Sequence, residues 1–410
     1  MITFEEALTK ILERMEAMPV TSATVRELAG HVIAENVIAR IDSPPFDNSA
    51  VDGFGVKVAD VANVGEASPV KLSLKGVIRA GDRGDVNLAP GSAIKILTGA
   101  TVPPTVDAVV MKEFCNEKNG NVEILESVKA GENIRRRGGE FLRGQEIVRG
   151  GLRATPPVVG LIANLGYRTF PVYRKPKAAV ITTGNELTKP GRDLMPGKIF
   201  DSNSYAMSAA VRACGIEDVL SLHAAEDERS TRDVFHRALG FADVIVSTGG
   251  VSVGDYDFVK AALESLHVET HIWKIAMKPG KPVYFGVYTT PRNKRKRYVF
   301  GLPGNPVSAL VTFRTLVVPA VAKLMGVRDC ADELIVRAEL TSELRKKAGR
   351  LEFVRGRLKH EAGKLYVQPT VGQDSHMLGG LATANALITF PLEAEKLPAG
   401  QSVEVRLLNW

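Results

Sequence analysis

The first residues of the chain alternate apolar and polar positions at the spacing of an amphipathic helix. Thr3 and Glu6 occupy the positions of a capping box at its start. Its apolar face is formed by Ala7, Leu8, Ile11, Leu12 and Met15. A second helix is predicted over residues 22–39, ending before the Ser43-Pro44-Pro45 break.

Short apolar runs punctuated by Gly and Pro dominate residues 44–135, which predicts a small β-rich domain. The clearest candidate strands cover residues 70–78, 92–99, 107–113 and 121–125. A helix is predicted next at residues 156–166, with Gly166 as its C-cap. We therefore predict an elongated helical or mixed domain made of residues 1–43 and 136–175, with the β-rich domain of residues 44–135 inserted in it.

Residues 176–326 alternate apolar strands with helices, which is typical of βαβ units and a mostly parallel sheet. The predicted strands cover residues 177–183, 218–225, 242–248, 282–287 and 297–301, and the predicted helices cover 202–215, 230–240, 256–266 and 306–325. Residues 327–410 return to short strands, as in a small barrel or sandwich. The predicted fold class is α/β plus β: a multidomain chain with a central, mostly parallel α/β sheet domain, an inserted β-rich domain, an elongated helical or mixed domain and a C-terminal small β-barrel.

The amino-acid composition is consistent with this predicted fold. Of the 410 residues, 45% are hydrophobic and 24% are charged, as in ordinary globular proteins. No apolar run approaches the about 20 residues of a membrane span, and the N-terminus lacks the pattern of a signal peptide. The three cysteines form no CxxC pair, which favours free thiols and a cytoplasmic protein. The net charge of +7 is spread along the chain. The basic run at 293–297 has no interleaved aromatic residues, so we expect it to be a solvated hairpin tip and expect no nucleic acid as a partner. We also expect no membrane as a partner.

Polar or Gly-rich segments follow the predicted strands of residues 176–326. These segments are residues 184–186, 226–227, 249–257, 277–282 and 302–309. Ligands of an open parallel sheet bind beyond the carboxyl ends of its strands. We therefore expect acids, lysines and bare backbone to converge on one edge of the sheet.

Several of these segments suit an anion, although each also has a purely structural interpretation. A Gly-rich loop between a strand and a helix can expose backbone N–H groups to phosphate, but it can also be a connecting loop that binds nothing. The glycines of this loop are Gly249, Gly250 and Gly254. Lysines beside the same edge favour anion capture; they are Lys274, Lys278 and Lys281. Asn305 and Pro306 suit the N-cap and the first position of a helix, whose N-terminus is a second candidate for anions.

Three acids follow three different strands and could hold a hard divalent ion such as Mg²⁺, or could be solvated only. They are Glu186, Asp227 and Asp257. Two further acids, Asp47 and Asp52, bracket the bend in "FDNSAVDGFGV", for which an Asx turn is the default interpretation. His376 is interpreted as a surface residue.

The chain resembles the molybdopterin molybdenumtransferase (MoeA) family over its whole length, and the gephyrin E domain is similar. The resemblance is carried by eight motifs in the same order: "FDNSAVDGFGV", "KILTGA", "NIRRRGGE", "TTGNEL", "STGGVSVGDYD", "MKPGKP", "GLPGNP" and "GRLEFVRG". It implies an enzyme that joins molybdate to the dithiolene sulfurs of adenylylated molybdopterin and releases AMP, with a divalent cation, usually Mg²⁺. It also implies a homodimer whose active cleft lies between the α/β domain of one subunit and the β-rich domain of its partner, and other molybdenum-cofactor biosynthesis proteins as possible partners.

Residue by residue, the resemblance assigns catalytic roles to Asp52, Thr98, Glu186, Asp227, Asp257, Lys274 and Lys278. Metal ligands among them would be Asp227, Asp257 and Glu186, and oxyanions would be bound by Lys274 and Lys278. Substrate binding is expected at Gly249, Gly250, Ser252, Gly254, Pro303, Gly304, Asn305, Pro306, Arg350 and Ser375. Asp52 and Thr98 would enter the cleft from the second chain, and Asp47 would be the turn's own cap.

The chain departs from many relatives at Asn185, where Asp is common, and at Gly138-Gly139-Glu140, where Gly-Glu-Asp is common. The role of Glu140 is therefore open. Two alternative functions remain. One is a molybdopterin adenylyltransferase, which shares the α/β domain but normally needs only that domain. The other is a non-catalytic scaffold that binds the cofactor precursor or a partner protein. Molybdate and tungstate are tetrahedral dianions of nearly equal size, so both fit the expected chemistry.

Overall fold

A computed structural model describes residues 1–250, 258–330, 334–408 and 410. This part of the chain forms two compact units. The first comprises residues 1–35, 150–159 and 169–410, and the second comprises residues 36–149 and 160–168. The four-domain boundaries given above stay a prediction.

The second unit contains a six-stranded mixed sheet. Its strands, in spatial order, are Ala108–Met111, Gly53–Val56, Ser92–Ile96, Val70–Ile78, Asn121–Ile124 and Cys115–Lys118. Two short antiparallel pairs accompany it: Val37–Ile38 with Glu146–Val148, and Asn48–Ser49 with Ile134–Arg135. One face of the sheet buries a core that includes Phe54, Leu72 and Val122, and the other face buries a core that includes Ile94 and Val109. The β-rich character predicted for residues 44–135 is confirmed.

The first unit is organised around a second six-stranded sheet. In spatial order its strands are Val219–Ala224, Ala178–Thr183, Val244–Thr248, Lys296–Leu302, Pro282–Thr289 and Glu269–Lys274. The first four run parallel, and only Pro282–Thr289 is reversed, pairing antiparallel with the strand on each side of it, which confirms a mostly parallel sheet. Helices Asn203–Ala213, Glu228–Phe241 and Phe258–Ser265 connect its strands. Strand Val244–Thr248 is buried at every position, which explains its apolar residues Val244, Ile245 and Val246.

One apolar helical stretch crosses the core of the first unit. It consists of helix Pro306–Thr312, a π-helical turn Phe313–Val317 and helix Val318–Leu324. Contrary to the sequence analysis, the stretch is long and apolar enough for a membrane span, with a mean hydropathy of 1.6. However, 67% of it is buried inside the protein. Its apolar composition is therefore that of a core helix, which the interspersed Arg314 and Lys323 masked in the sequence.

The C-terminal residues of the first unit form a closed five-stranded barrel. Around the barrel the strands are Leu351–Glu361, Lys364–Pro369, Ile335–Leu340, Ser402–Leu407 and Ala386–Phe390. The last strand pairs again with the first, so the sheet closes as a barrel and not as a sandwich. Short pairs Leu344–Arg345 with Lys396–Leu397, and Leu187–Thr188 with Ile199–Phe200, and the helix Leu378–Ala382 complete the unit.

The N-terminal segment confirms one predicted helix and contradicts the other. Helix Phe4–Arg14 has the predicted capping box and buries its apolar face. Residues 22–39 are not a helix: Val20–Thr24 is a strand that pairs with Thr169–Tyr173. Gly30 then turns the chain at a φ of +78°. The apolar residues there suit several backbone conformations, and tertiary pairing of the β-branched segment selected the strand. The helix predicted at 156–166 is present as Pro156–Asn164.

Candidate functional site

A cavity of about 600 Å³ lies at the carboxyl ends of the parallel strands of the first unit. It brings together residues from the segments that follow four of these strands, as predicted from the position of strand ends. Its lining comprises Thr183, Glu186, Leu187, Ile199, Phe200, Asp201, Ser202, Asn203, Glu226, Thr248, Gly249, Gly250, Pro282, Pro303, Gly304, Asn305, Pro306 and His376. We call this space the acidic cavity, because three carboxylates and no Lys or Arg occur among the described residues that line it.

One wall of the acidic cavity contains two positions, Gly249 and Gly250, where the structure has no room for a side chain. Gly249 has a φ of +85° and Gly250 a φ of +67°, which disfavour any side chain. An added Cβ would lie 2.6 Å from Thr183 Oγ1 at Gly249 and 2.5 Å from a methyl of Val259 at Gly250. The local structure therefore accepts only glycine at both positions. Phosphate binding to this loop stays a prediction.

Glu186 is held by the loop that carries it. Its carboxylate lies over Gly184, where an added Cβ would overlap the carboxylate oxygens. Asn185 Oδ1 accepts a hydrogen bond from Glu226 N at 3.3 Å, which ties this loop to the next strand end. An aspartate could accept the same bond, so the Asn185 departure leaves this contact intact.

Asp227 begins the helix Glu228–Phe241. Its Oδ1 accepts a hydrogen bond from Ser230 N at 2.7 Å, so the carboxylate is an N-cap. The neighbouring Glu226, and not Asp227, is among the described residues that line the acidic cavity. A catalytic or metal-binding role for Asp227 stays a prediction.

Sequence reasoning missed several polar residues of the acidic cavity. Asp201 is only 8% exposed, and its carboxylate accepts from Ser204 N at 2.9 Å and from Thr182 Oγ1 at 3.2 Å. The run "DSNS" was the available signal, but its last three residues were assigned to the predicted helix 202–215 and Asp201 was given no role. His376 is exposed, as predicted, but it also lines the cavity.

A second cavity of about 250 Å³ carries positive charge. We call it the basic cavity, because Lys278, Lys281 and Arg350 line it. The remaining lining residues are Met277, Pro279, Gly280, Ser308, Glu352, Phe353, Gln373, Asp374 and Ser375. Lys278 Nζ lies 2.8 Å from Glu352 Oε1, and the strand pairing of Met277–Lys278 with Leu351–Glu352 sets this distance.

One hydrogen bond links the walls of the two cavities. Asn305 lines the acidic cavity, and its Nδ2 donates to Oγ of Ser375, which lines the basic cavity, at 2.8 Å. Asn305 occupies the predicted N-cap position, but its side chain makes this bond and no capping bond. Lys274 is half-buried on strand Glu269–Lys274 and is not among the described residues that line either cavity.

In the second unit, the two predicted site residues contact each other. Asp52 Oδ1 accepts hydrogen bonds from Thr98 N at 2.8 Å and from Thr98 Oγ1 at 2.7 Å. Lys112 Nζ lies 3.6 Å from Asp52 Oδ2. The bonds from Thr98, and then the Lys112 charge, hold the pKa of Asp52 below its ordinary value. Asp52 is therefore an exposed and firmly ionised carboxylate.

Asp47 is not the cap of its own turn, contrary to the sequence analysis. Its carboxylate accepts from Arg137 N at 2.8 Å and from Arg136 Nη1 at 2.6 Å. Glu140 accepts from Ser43 Oγ at 2.7 Å. The "NIRRRGGE" motif is thus tied to the segment before Asp52 by side-chain contacts distant in sequence, which turn propensity does not reveal.

Some predicted residues lie outside the described part of the chain. They are Ser252, Gly254 and Asp257. Within residues 1–250, 258–330 and 334–408, no group of three or more His, Cys, Asp or Glu side chains could hold a metal by itself. A metal there would need substrate oxygens as additional ligands, as is usual for Mg²⁺.

Three family regions match this chain in order. Residues 2–166 match the MoeA N-terminal region (domain I and II), residues 179–323 the probable molybdopterin binding domain, and residues 337–408 the MoeA C-terminal region (domain IV). A molybdopterin molybdenumtransferase from Haemophilus influenzae is 35% identical over 414 residues, covering 100% of this chain and 99% of the relative. Another from Bacillus subtilis is 31% identical over 412 residues, covering 100% and 94%.

Solved structures agree with these sequence relatives. Two crystal structures of molybdopterin biosynthesis MoeA proteins from Pyrococcus horikoshii cover 100% of both chains, with TM-scores of 0.81 and 0.83 at 30% and 27% identity. They support the multidomain fold with an α/β domain and a C-terminal barrel. On the full-length match in sequence and fold, the chain belongs to the MoeA family.

Proposed function

We propose that this protein is a cytoplasmic molybdopterin molybdenumtransferase. It inserts molybdate into adenylylated molybdopterin with Mg²⁺ and releases AMP. The names of its relatives support the reaction class. The observation that carries the proposal is the pair of linked cavities of opposite character at the carboxyl ends of the sheet.

The basic cavity suits the oxyanion substrate. Lys278, Lys281 and Arg350 supply positive charge, and the Ser375 hydroxyl supplies a further hydrogen-bonding group. Its volume of about 250 Å³ has room for a tetrahedral dianion and part of the substrate to which it is joined. Here the protein would orient molybdate, while the sulfur nucleophiles belong to the substrate.

The acidic cavity suits Mg²⁺ bound with phosphate oxygens. Glu186 and Glu226 both line it, and Mg²⁺ in phosphate sites commonly uses one or two carboxylates plus substrate oxygens. Bound Mg²⁺ would supply charge neutralisation for the phosphoanhydride. Glu186 and Glu226 would hold it, and the backbone at Gly249 and Gly250 would bind and orient the phosphates.

The proposal includes a homodimer in which Asp52 and Thr98 of one protomer complete the cleft of its partner. Mixing Asp52→Ala protein with Glu186→Gln protein tests this arrangement, because a mixed dimer then contains one intact cleft. Each variant alone should be inactive, and mixing after subunit exchange should restore AMP release. Failure to restore activity in verified mixed dimers would contradict a shared cleft.

The central experiment measures AMP release from adenylylated molybdopterin by the purified protein, with Mg²⁺ and with or without molybdate. Molybdate-dependent release supports the transferase. ATP consumption without molybdate would favour the adenylyltransferase, and absence of release would favour the scaffold. Tungstate in place of molybdate tests the oxyanion preference.

Asp52→Ala should abolish AMP release and leave the dimer intact. Asp60→Ala is the matched control, since Asp60 also accepts a backbone hydrogen bond in the second unit, from Gly91 N at 2.8 Å. Near-normal turnover of the Asp52 variant, with the dimer verified by light scattering, would refute its role.

A further inference from the structure

Two buried polar atoms of the acidic cavity have no hydrogen-bond partner among the described residues. They are Oδ1 of Asn203 and Oγ1 of Thr248, and both residues line the cavity. A buried polar group without a partner is costly, so such groups are rare and require an explanation. Thr248 lies within the "STGGVSVGDYD" motif, but neither residue is among the site residues that the resemblance assigns.

The Asn203 amide has a defined orientation. Its Nδ2 donates to the carbonyl oxygen of Gly304 at 2.7 Å. A carbonyl oxygen cannot donate, so the amide nitrogen must face Gly304 and Oδ1 must face elsewhere. Asn203 therefore presents an acceptor of fixed orientation, which an N–H or O–H donor can satisfy.

Thr248 ends the buried strand Val244–Thr248 and is only 1% exposed. Its hydroxyl can both donate and accept. Ser247, the preceding residue, is 0% exposed and also has an unpartnered hydroxyl, but it is not among the described residues that line the cavity. The two adjacent residues thus share the burial of their hydroxyls, and of the two only Thr248 is among the described residues that line the cavity.

The chemistry of these groups restricts the ligand that they bind. Phosphate and molybdate at neutral pH offer acceptors almost exclusively, so they cannot satisfy Asn203 Oδ1. The carboxylates of Glu186, Asp201 and Glu226 also disfavour a bare anion on the same wall. A fused nitrogen heterocycle offers N–H donors beside ring acceptors, and a cavity of about 600 Å³ accommodates one with its attached phosphates.

We propose that Asn203 and Thr248 bind the N–H-bearing edge of a fused nitrogen heterocycle, and so place the ring of the substrate in the acidic cavity. This inference rests on the proposed function, whose substrate contains two such rings, a pterin and an adenine. The oxyanion then lies toward the basic cavity, beyond the bond between Asn305 and Ser375. Thr248 and Asn203 are specificity-determining residues in this arrangement.

Thr248→Val is the cleanest test, because it keeps the β-branched shape and removes only the hydroxyl. Loss of an unpartnered buried hydroxyl should leave the thermal midpoint unchanged or higher. Loss of a ligand hydrogen bond should weaken binding about fivefold. Ser247→Ala is the matched control, since it should have the same effect on stability and no effect on binding. Asn203→Ala also breaks the bond to Gly304, so it cannot serve alone.

Binding is measured by calorimetry on the full-length dimer, separately with pterin and with AMP in the presence of Mg²⁺. Weaker binding of pterin alone by Thr248→Val assigns the pterin ring to this wall, and weaker binding of AMP alone assigns adenine; either result supports the proposal. Unchanged affinity for both probes, or an equal loss in Ser247→Ala, overturns it. Because neither measurement requires turnover, failure of the transferase assay remains a separate result.

Discussion

Replacing Arg355 by Met should loosen the segment that carries part of the basic cavity. Arg355 lies on barrel strand Leu351–Glu361 and is 1% exposed. Its Nη2 donates to the carbonyl oxygens of Gly372 and of Asp374, the latter at 3.3 Å. The Gln373 side chain makes two hydrogen bonds with the Arg355 backbone: it accepts from Arg355 N at 3.1 Å and donates to Arg355 O at 2.9 Å. The adjacent Ser375 is thereby positioned through Arg355.

The magnitude follows from these contacts. A hydrogen bond to a charged donor contributes about 1.5–3 kcal/mol, and the long bond to Asp374 contributes less than the bond to Gly372. Methionine retains the apolar stem and avoids burying a charge, which offsets part of the loss. The bonds of Gln373 to the Arg355 backbone remain. We expect a local destabilisation of about 2–3 kcal/mol, or opening of the segment about 30- to 150-fold more often.

Amide hydrogen exchange of residues 370–378, followed by mass spectrometry, measures this opening directly. AMP release at varied molybdate concentration measures its consequence, a higher molybdate concentration at half-maximal rate. Arg357→Met is the control, because Arg357 lies two residues away on the same strand and is exposed. Exchange and molybdate dependence equal to those of the unmodified protein would refute the positioning argument.

Three further perturbations test individual site residues. Thr98→Val keeps the backbone hydrogen bond to Asp52 but removes the hydroxyl hydrogen bond. Because both bonds lower the pKa of Asp52, the acidic limb of the AMP-release pH profile should move to higher pH. An unmoved limb would mean that ionised Asp52 is not required. Gly250→Ala meets a φ of +67° and should lower stability by about 1–3 kcal/mol, whereas the helical control Gly240→Ala should not; equal thermal midpoints would contradict the strain argument. Lys278→Gln should raise the molybdate concentration at half-maximal rate about tenfold or more, the value of a charge-assisted contact, and an unchanged value would exclude Lys278 from the oxyanion site.

Sequence patterns predicted elements correctly where one local signal dominated. The apolar residues Val244, Ile245 and Val246 of strand Val244–Thr248 and the capping box of Phe4–Arg14 each identify one backbone conformation. Residues 22–39 carried apolar residues at ambiguous spacing, and the prediction of a helix was wrong. There the pairing of Val20–Thr24 with a strand about 150 residues later decided the outcome, as the register of Thr24 with Thr169 shows.

The sequence predicted those site residues that directly follow the strands of the parallel sheet. Glu186, Gly249 and Pro303 were placed at one edge because parallel strands carry their carboxyl ends together. The sequence analysis did not select Asn203 and Thr248, because each has a buried polar atom without a hydrogen-bond partner among the described residues. The residue type alone does not reveal such an atom. Asp227 illustrates the converse: the same residue type suits a metal ligand and a helix cap, and its 2.7 Å bond to Ser230 N reveals the capping contact.

By itself, the sequence determined most of the order of secondary structure, the mostly parallel sheet and the set of strand-end residues, because periodicity, glycine and proline act over a few neighbouring residues. Only the tertiary structure decided that Asn305 bonds Ser375 seventy residues away, that Arg355 is buried against carbonyl oxygens, and that Lys278, Lys281 and Arg350 line one cavity while no described Lys or Arg lines the other. These contacts depend on how distant segments pack, and the free energy of packing is shared among many residues at once.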